Sequence, residues 1–200
     1  MKHLVKYYFL CVALFCGVHG SAQYYGGDWY VSPKISFADY SDRNDWSGYS
    51  ISKIPPISMA VEKGLNDYIS VGGLVGYNRD KYVNDTLPSN IHKYTSFGAG
   101  ALVSLHWAGW LEKVTNYKIY LGDWDFYFSG SILMVWDKKE EDVVWSEVNE
   151  VFEDSSSSEV KVRIRPIVGV RYFVTDDFCM LLELGKGNLG MVTTGVSWRF

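Results

Sequence analysis

The C-terminal segment, 189–200, alternates between apolar residues and polar or small ones. Successive side chains of a β-strand point to opposite faces, so this period of two predicts a strand with one apolar and one polar face. The apolar face of this segment is formed by Gly190, Val192, Thr194, Val196, Trp198 and Phe200. The chain then stops on an aromatic residue, although the chain ends of soluble domains tend to fray into water.

Seven earlier segments alternate in the same way, and polar or turn-rich stretches separate them. These segments are 29–37, 57–62, 69–78, 94–107, 125–136, 160–171 and 178–184. Pro33 interrupts the first of them and predicts a bulge there, because proline cannot donate to a strand ladder. We therefore predict an all-β chain of eight strands, most of which carry Val, Ile and Phe on one face and Lys, Arg and Glu on the other.

Aromatic residues make up 16% of the chain, and Tyr and Trp together outnumber Phe. We expect them to gather at the two ends of the strands, as two belts at membrane–water boundaries. The belt predicted at the inner end contains Trp29, Tyr68, Trp107, Trp124, Phe126, Tyr172, Phe173, Phe178 and Trp198. The belt predicted at the outer end contains Phe37, Tyr77, Tyr82 and Trp136. The formal net charge of −4 argues against nucleic acid as a partner, since nucleic acid requires a basic surface.

Residues 1–22 have the features of a secretory signal peptide: two early lysines, an apolar run over 7–18 and small residues at the end. Cleavage is expected before Gln23. The alternative, a lipoprotein leader acylated at Cys16, is disfavoured because Phe15 stands where a small residue is required. The apolar run is too short to span a bilayer, so we expect the leader to direct export and the strands to form the membrane-spanning structure.

The eight alternating segments and the terminal Phe200 resemble the small eight-stranded outer-membrane barrels of the OmpA/OmpX type, in the porin superfamily. The stretch 169–200, GVRYFVTDDFCMLLELGKGNLGMVTTGVSWRF, carries the resemblance most strongly. It implies that residues 23–200 form an antiparallel up-and-down transmembrane barrel surrounded by outer-membrane lipid and lipopolysaccharide. It also implies that the barrel-assembly machinery reads Phe200 as the assembly signal.

Long connections should lie outside the cell and short ones in the periplasm, together with both termini. The outer connections predicted are 38–56, 79–92, 137–159 and 187–188, and the inner ones are 64–67, 108–124 and 173–177. The connection 108–124 is long for an inner turn, and Tyr117–Leu121 could be a short extra strand. Val144–Phe152 could be either a strand extension or a short helix. The outer connections are acidic, so they could be a solvated surface or contact cations, lipopolysaccharide or an extracellular protein partner.

Charged residues on the polar faces should point into the barrel and form a lumen charge cluster. Its members are Lys34, Glu62, Asp125, Lys161, Arg163, Arg165, Arg171, Glu183 and Arg199. The interior of an eight-stranded barrel is only wide enough for side chains to fill, and a buried charge is costly unless it is paired. We therefore expect a salt-bridged interior. The alternative is a narrow anion-selective channel.

We expect a structural or surface-binding role through the outer loops, and two other functions are alternatives to it. Ser104 and His106 could serve a lipid A-modifying enzyme, but they share the lumen face, where no lipid substrate would reach them. A soluble lipocalin-like carrier would turn its apolar face inward and is ranked last. The sequence shows no cofactor motif and no metal-ligand spacing, and Cys179 is the lone cysteine after the leader.

Overall fold

The computed structural model describes residues 24–39, 49–85, 91–116, 121–146, 151–185 and 190–200. Eight antiparallel strands follow one another around a closed barrel, and the last strand pairs with the first. The strands are β1 (Trp29–Asp39), β2 (Tyr49–Asn66), β3 (Ile69–Asn84), β4 (Ile91–His106), β5 (Trp124–Ser146), β6 (Val151–Phe173), β7 (Phe178–Gly185) and β8 (Gly190–Arg199). The predicted all-β, eight-stranded up-and-down barrel is confirmed. The leader predicted at 1–22 lies outside the described residues.

The apolar faces of the strands lie on the outside of the barrel. Ile132, Val162 and Ile164 are 58%, 67% and 76% exposed, whereas Glu62 and Arg171 are 1% and 0% exposed. This distribution is the reverse of that of a soluble barrel, whose apolar residues would fill the interior. It agrees with strands that present a lipid-facing band and a polar lumen, and it contradicts the lipocalin-like alternative.

Exposed aromatic side chains form the expected belts, with two corrections. At one end Trp124 and Tyr172 have ring centroids 4.8 Å apart, and at the other end Phe97 and Trp136 are 5.8 Å apart. Phe173 and Tyr82, however, are 3% and 1% exposed and point inward. Tyr82 lies within β3, which continues through the predicted 79–92 loop, and its side chain is on the inner face of that strand. Phe173 is on the same inner face of β6 as Arg171.

The two ends of the barrel differ. We call the end that carries the N-terminal segment 24–28, the turn 174–177 and Phe200 the terminal end. A short helix, α1 (Ala108–Val114), lies there within the connection for which no helix was predicted. Positions 117–120 of the possible extra strand lie outside the described residues. Among the described residues, no helix combines the length and the apolar character needed to cross a membrane.

At the opposite end, which we call the tall end, the strands run further than the alternation indicated. β2 begins at Tyr49 inside the predicted 38–56 loop, and β3 continues to Asn84. β5 and β6 have 23 residues each, so the described part of 144–152 is a strand extension. Above the membrane both faces of a strand meet water, so the apolar alternation stops although the pairing continues.

The predicted bulge at Pro33 is wrong. Pro33 pairs with Met59 in the same register as its neighbours, so the ring of this residue is accommodated within a continuous ladder. The register shifts instead between Ile54 and Ile57, where two consecutive prolines interrupt β2. Two prolines remove two ladder donors, and a bulge accommodates that loss more readily than a regular strand does.

The wall of the barrel is therefore uneven in height. β7 and β8 have only 8 and 10 residues, and the pairing of β6 with β7 stops at Ile167 and Gly185. β6 continues beyond this point with β5 as its neighbour, up to the pair Ser146 and Val151. We call the parts of β2 to β6 that rise beyond β7 and β8 the protruding sheet. It comprises 49–56, 79–85, 91–96, 137–146 and 151–164.

The barrel interior and the protruding sheet

The centre of the lumen is a buried ion pair between β2 and β6. The Arg171 Nη2 atom donates to Glu62 Oε1 at 2.5 Å, and its Nη1 atom lies 3.6 Å from Asp125 Oδ2. The same guanidinium lies over the rings of Tyr127 and Tyr30, with its carbon 4.6 Å and 5.3 Å from the ring centroids. Two carboxylates and two aromatic faces thus compensate one fully desolvated cation.

A second buried pair links β1 to β7. The Lys34 ammonium lies 2.5 Å from Glu183 Oε1, and the Tyr127 hydroxyl donates to the same oxygen at 2.8 Å. Tyr127 therefore contacts both the Lys34–Glu183 pair and Arg171, which joins the two ion pairs into one network. Such a network is stable only when its members are mutually satisfied, because a lone buried charge costs several kcal/mol.

Serines fill the spaces between the charges. Ser70 and Ser104 both donate to Glu62 Oε2, at 2.9 Å and 3.0 Å. The Ser104 and Ser129 hydroxyls are 2.6 Å apart. Serine is small enough to fit a narrow lumen and still offers a donor, so it satisfies the carboxylate without adding bulk.

His106 lies at the terminal end of this network. Its Nδ1 atom is 2.9 Å from Asp125 Oδ1 and from Oδ2, and its Nε2 atom is 3.0 Å from Ser70 Oγ. Tyr24 stacks on the imidazole with ring centroids 3.6 Å apart and planes inclined by 6°. The ring is therefore held on both edges and covered on one face.

The hypothetical Ser104–His106 pair of a lipid-modifying enzyme does not form. Ser104 bonds to Glu62 and Ser129, and the partner of His106 is Ser70. Ser70 is fully buried and donates to a carboxylate, so its oxygen is neither accessible nor activated as a nucleophile. The arrangement holds a histidine in a polar interior and offers no route to a lipid substrate.

An apolar layer lies next to the polar network on the side of the tall end. It consists of buried side chains from four adjacent strands, namely Ala60, Leu74, Leu102, Leu133 and Val135. These side chains occupy the lumen directly below the protruding sheet. The lumen of an eight-stranded barrel is only wide enough for side chains to fill, and these side chains and the ion pairs occupy it, so the observed interior does not favour the anion-channel alternative.

The predicted lumen charges fall into three groups. Buried in the interior are Lys34, Glu62, Asp125, Arg165, Arg171 and Glu183. Arg199 is largely buried at the terminal end, 3.6 Å from Asp28 Oδ2. Lys161 and Arg163 lie on the inner face of β6, but their side chains are 44% and 42% exposed. These two depart from the expectation of buried pairing, because the pairing of β6 with β7 has already stopped and no described strand lies next to β6 on that side.

Several residues of the network were not singled out from the sequence. Tyr30 and Tyr127 are fully buried and pack on Arg171, and Ser70 bridges Glu62 and His106. Their position on the same faces as the predicted charges was the available signal. The alternation of a strand shows which residues share a face, but it does not show which residues of different strands lie next to each other. That requires the register of each strand pair.

A small cavity of about 120 Å³ opens at the terminal end between the barrel and α1. Tyr24, His106 and Asp125 line its inner part, and Tyr68 and Lys113 line its outer part. Lys113 donates to the Tyr68 hydroxyl at 2.8 Å, so its charge is already engaged. Among the described residues, no group of three or more His, Cys, Asp or Glu side chains is placed to hold a metal ion.

A larger groove of about 420 Å³ lies on the inner face of the protruding sheet. Arg163 donates to Asp137 at 3.2 Å, and Ser96 donates to the other oxygen of that carboxylate at 2.6 Å. Lys139 pairs with Glu141, which raises the pKa of the ammonium and lowers the pKa of the carboxyl through their hydrogen bond. The groove is polar and open on the side of β7 and β8.

Comparison with known proteins agrees with this architecture. The family model described as "Outer membrane protein beta-barrel domain" matches residues 8–200. No curated protein shows a significant match to the sequence.

Solved structures similar to this chain include three bacterial outer-membrane barrels. The N-terminal barrel domain of OprF from Pseudomonas aeruginosa is 11% identical, with 88% of this chain and 100% of that chain covered and a TM-score of 0.42. Ail, the attachment invasion locus protein of Yersinia pestis, in complex with the heparin analogue sucrose octasulfate, is 11% identical, with 88% and 99% covered and a TM-score of 0.45. OprG from Pseudomonas aeruginosa is 8% identical, with 91% and 99% covered and a TM-score of 0.49.

Proposed function

Because the chain belongs to the outer membrane protein β-barrel family, we propose that it is a non-enzymatic surface protein whose protruding sheet binds a partner outside the cell. The observation that carries this proposal is the difference in strand length between β5–β6, with 23 residues each, and β7–β8, with 8 and 10. The extra length serves no purpose in crossing the membrane, because a spanning strand needs about 9–11 residues.

The protruding sheet offers a specific means of binding. Above Ile167, β6 has β5 on one side and no described strand on the other, so its outer edge presents backbone donors and acceptors. Residues 155–159, which lie along this edge beyond the pair Trp136 and Val160, are all exposed. An extended segment of a partner protein can add to such an edge as a further strand, with main-chain hydrogen bonds supplying affinity.

The interior supports a non-enzymatic role. Glu62, Arg171 and Ser70 at the centre of the lumen are engaged with one another, and buried apolar side chains of β2 to β5 lie between them and the tall end. The barrel thereby acts as a rigid support, and in such proteins binding is carried by the elements that a rigid scaffold presents.

The orientation that the proposal requires places the tall end outside and both termini in the periplasm, with residues 1–22 acting as a cleaved signal peptide. The orientation is tested with single cysteine variants in intact cells. Ser157→Cys on the protruding sheet should react with a membrane-impermeant maleimide, whereas Asp176→Cys in the terminal turn should react only after the outer membrane is opened. Cys179 is buried and supplies little background. The reverse labelling pattern would contradict this orientation.

Binding is tested with a variant that lacks the top of the hairpin. Glu140 and Ser156 are direct partners across β5 and β6, so residues 141–155 can be replaced by a two-residue Asn-Gly turn. We expect expressing cells to lose adherence to surfaces coated with extracellular proteins, while the barrel still shows heat-modifiable migration on gels. Equal adherence of the wild type and this folded variant would refute a binding role for the hairpin.

A further inference from the structure

We propose that the outer face of the protruding sheet is a binding site for the phosphate groups of lipid A, the lipid portion of lipopolysaccharide. The site consists of Arg79, Lys81, Lys93 and Lys138, which lie on three adjacent strands directly above the exposed aromatic belt. This inference goes beyond the proposed binding of an extracellular partner and rests on it only for the orientation of the tall end.

The register places these residues in rows. Tyr77, Phe97 and Trp136 are direct partners across β3, β4 and β5, and they face outward at the membrane boundary. Two residues further along each strand, Arg79 and Lys138 flank Thr95. Direct partners in an antiparallel pair share a face, so these cations also point outward.

The next row brings two like charges together. Lys81 and Lys93 are direct partners across β3 and β4. Directly opposed residues have Cβ atoms roughly 4.5–5.5 Å apart, and like charges in such positions are destabilising unless a counter-ion lies between them. Glu140 is the direct partner of Lys93 on its other side, across β4 and β5, so one carboxylate offsets part of this repulsion. The row keeps a net positive charge, which suits an anionic phosphate group.

The balance of charge in these two rows is strongly positive. They hold four cations and one carboxylate, Glu140, which pairs with Lys138. Arg79 and Lys81 form no ion pair with any other described residue. On the outward face at the terminal end, by contrast, the ammonium of Lys63 already has a partner, since it lies over the ring of Trp29.

The distance of these cations from the aromatic belt determines which ligand they can reach. Each row lies two residues beyond the previous one, which is about 7 Å along the strand. The first cationic row thus begins within one headgroup diameter of the aromatic belt, where the phosphates of membrane lipids are located. With the tall end outside, the lipid at this level is that of the outer leaflet, and its phosphates are those of lipid A.

The test uses the purified full chain in zwitterionic micelles and measures its affinity for diphosphorylated lipid A. Lys81→Gln/Lys93→Gln should weaken binding roughly twenty-five-fold, at roughly fivefold for each lysine. Lys161→Gln/Arg163→Gln is the matched control, because it removes the same charge from the inner face of the same sheet. The control should bind within about twofold of the wild type, as charges outside the contact contribute little.

The proposal is overturned by an unchanged affinity of the Lys81/Lys93 variant, by an equal loss in the matched control, or by equal wild-type affinity for dephosphorylated lipid A. Equal affinity for phosphatidylglycerol would show a general anion surface and overturn the assignment to lipid A. Lys161 and Arg163 are exposed and Lys81 and Lys93 are partly exposed, and heat-modifiable migration establishes that each variant is folded. The experiment needs no orientation in a membrane, so a failure here is distinct from a failure of the labelling or adherence tests.

Discussion

The lower and upper parts of this barrel use the same kinds of residue for opposite purposes. Below the top of β7, charged side chains are buried, each is compensated, and Arg171 is fully enclosed. Above it, residues of the same face, such as Arg163 and Lys161, are about four-tenths exposed and pair at the surface. The difference follows from whether β7 lies beside β6 at that level. Strand length therefore decides whether an inward charge is buried or reaches water.

The same contrast sets the expected energies. A buried ion pair is costly to break because one charge is left without compensation, whereas a surface pair is worth only about 0–1 kcal/mol. Substitutions in the lumen should therefore destabilise the barrel, and equivalent substitutions in the protruding sheet should leave its stability unchanged.

The largest expected effect follows Arg171→Met. It leaves Glu62 and Asp125 as buried carboxylates without their cation, and we expect the free energy of unfolding to fall by about 3–5 kcal/mol. The measurement is urea-induced unfolding in phosphatidylcholine vesicles, followed by tryptophan fluorescence. Arg171→Met/Glu62→Gln should recover part of the loss, and a double variant as unstable as the single one would contradict the pairing.

The next effect concerns the packing beside that ion pair. A Cβ at Gly169 would lie 2.2 Å from the Tyr127 ring, so Gly169→Ala should displace the ring from Arg171 and lower the free energy of unfolding by about 1–3 kcal/mol. Gly130→Ala is the control, since a Cβ there meets nothing within 4 Å. Comparable losses in the two variants would mean that strand glycines matter for a reason other than Tyr127.

Arg163→Gln should change the free energy of unfolding by less than about 0.5 kcal/mol. Its partner Asp137 is 3.2 Å away, but both side chains reach water, and Ser96 keeps the carboxylate hydrogen-bonded. The same urea titration measures the change. A loss comparable with that of Arg171→Met would remove the distinction between the two regions.

The smallest effect is a pH dependence within the protruding sheet. The Lys139 ammonium holds the pKa of Glu141 below its ordinary value, so the pair stabilises the sheet above the unfolded pKa of about 4.3 and loses this effect as pH falls through the folded pKa. Carboxyl NMR titration of Lys139→Gln should show the pKa of Glu141 moving up. Lys138→Gln, which removes a neighbouring cation of the opposite face, should leave that pKa in place.

Much of the transmembrane part could be predicted from the sequence because lipid imposes a strict alternation. Residues such as Ile132 and Val162 must face hydrocarbon, and Glu62 and Arg171 must then face inward. Residues 137–146 and 151–159 of the protruding sheet were not predicted as strands for the same physical reason, since strands with water on both faces need no alternation. α1 was missed because it is short and Trp107 provides no side-chain cap.

The candidate sites depended on information that parity does not contain. The inward set was predictable, but the bulge at Pro55 and Pro56 and the heights of the strands fix which residues meet. Lys34 could have faced any carboxylate of the lumen, and only the closure of β1 against β8 brings it to Glu183. The cationic rows on the outer face likewise emerge only when three strands are aligned.

Because β7 and β8 are short, the tall end has an open side at these two strands, its front, and a closed side at the protruding sheet, its back. A molecule that approaches from the front reaches the concave groove without crossing a rim, whereas one that approaches from behind meets the convex surface of the raised strands. Rotation of the barrel about the membrane normal therefore changes what its surroundings encounter. A lipid contact restricted to the convex side would bias this rotation and turn the open side towards neighbouring molecules in the membrane.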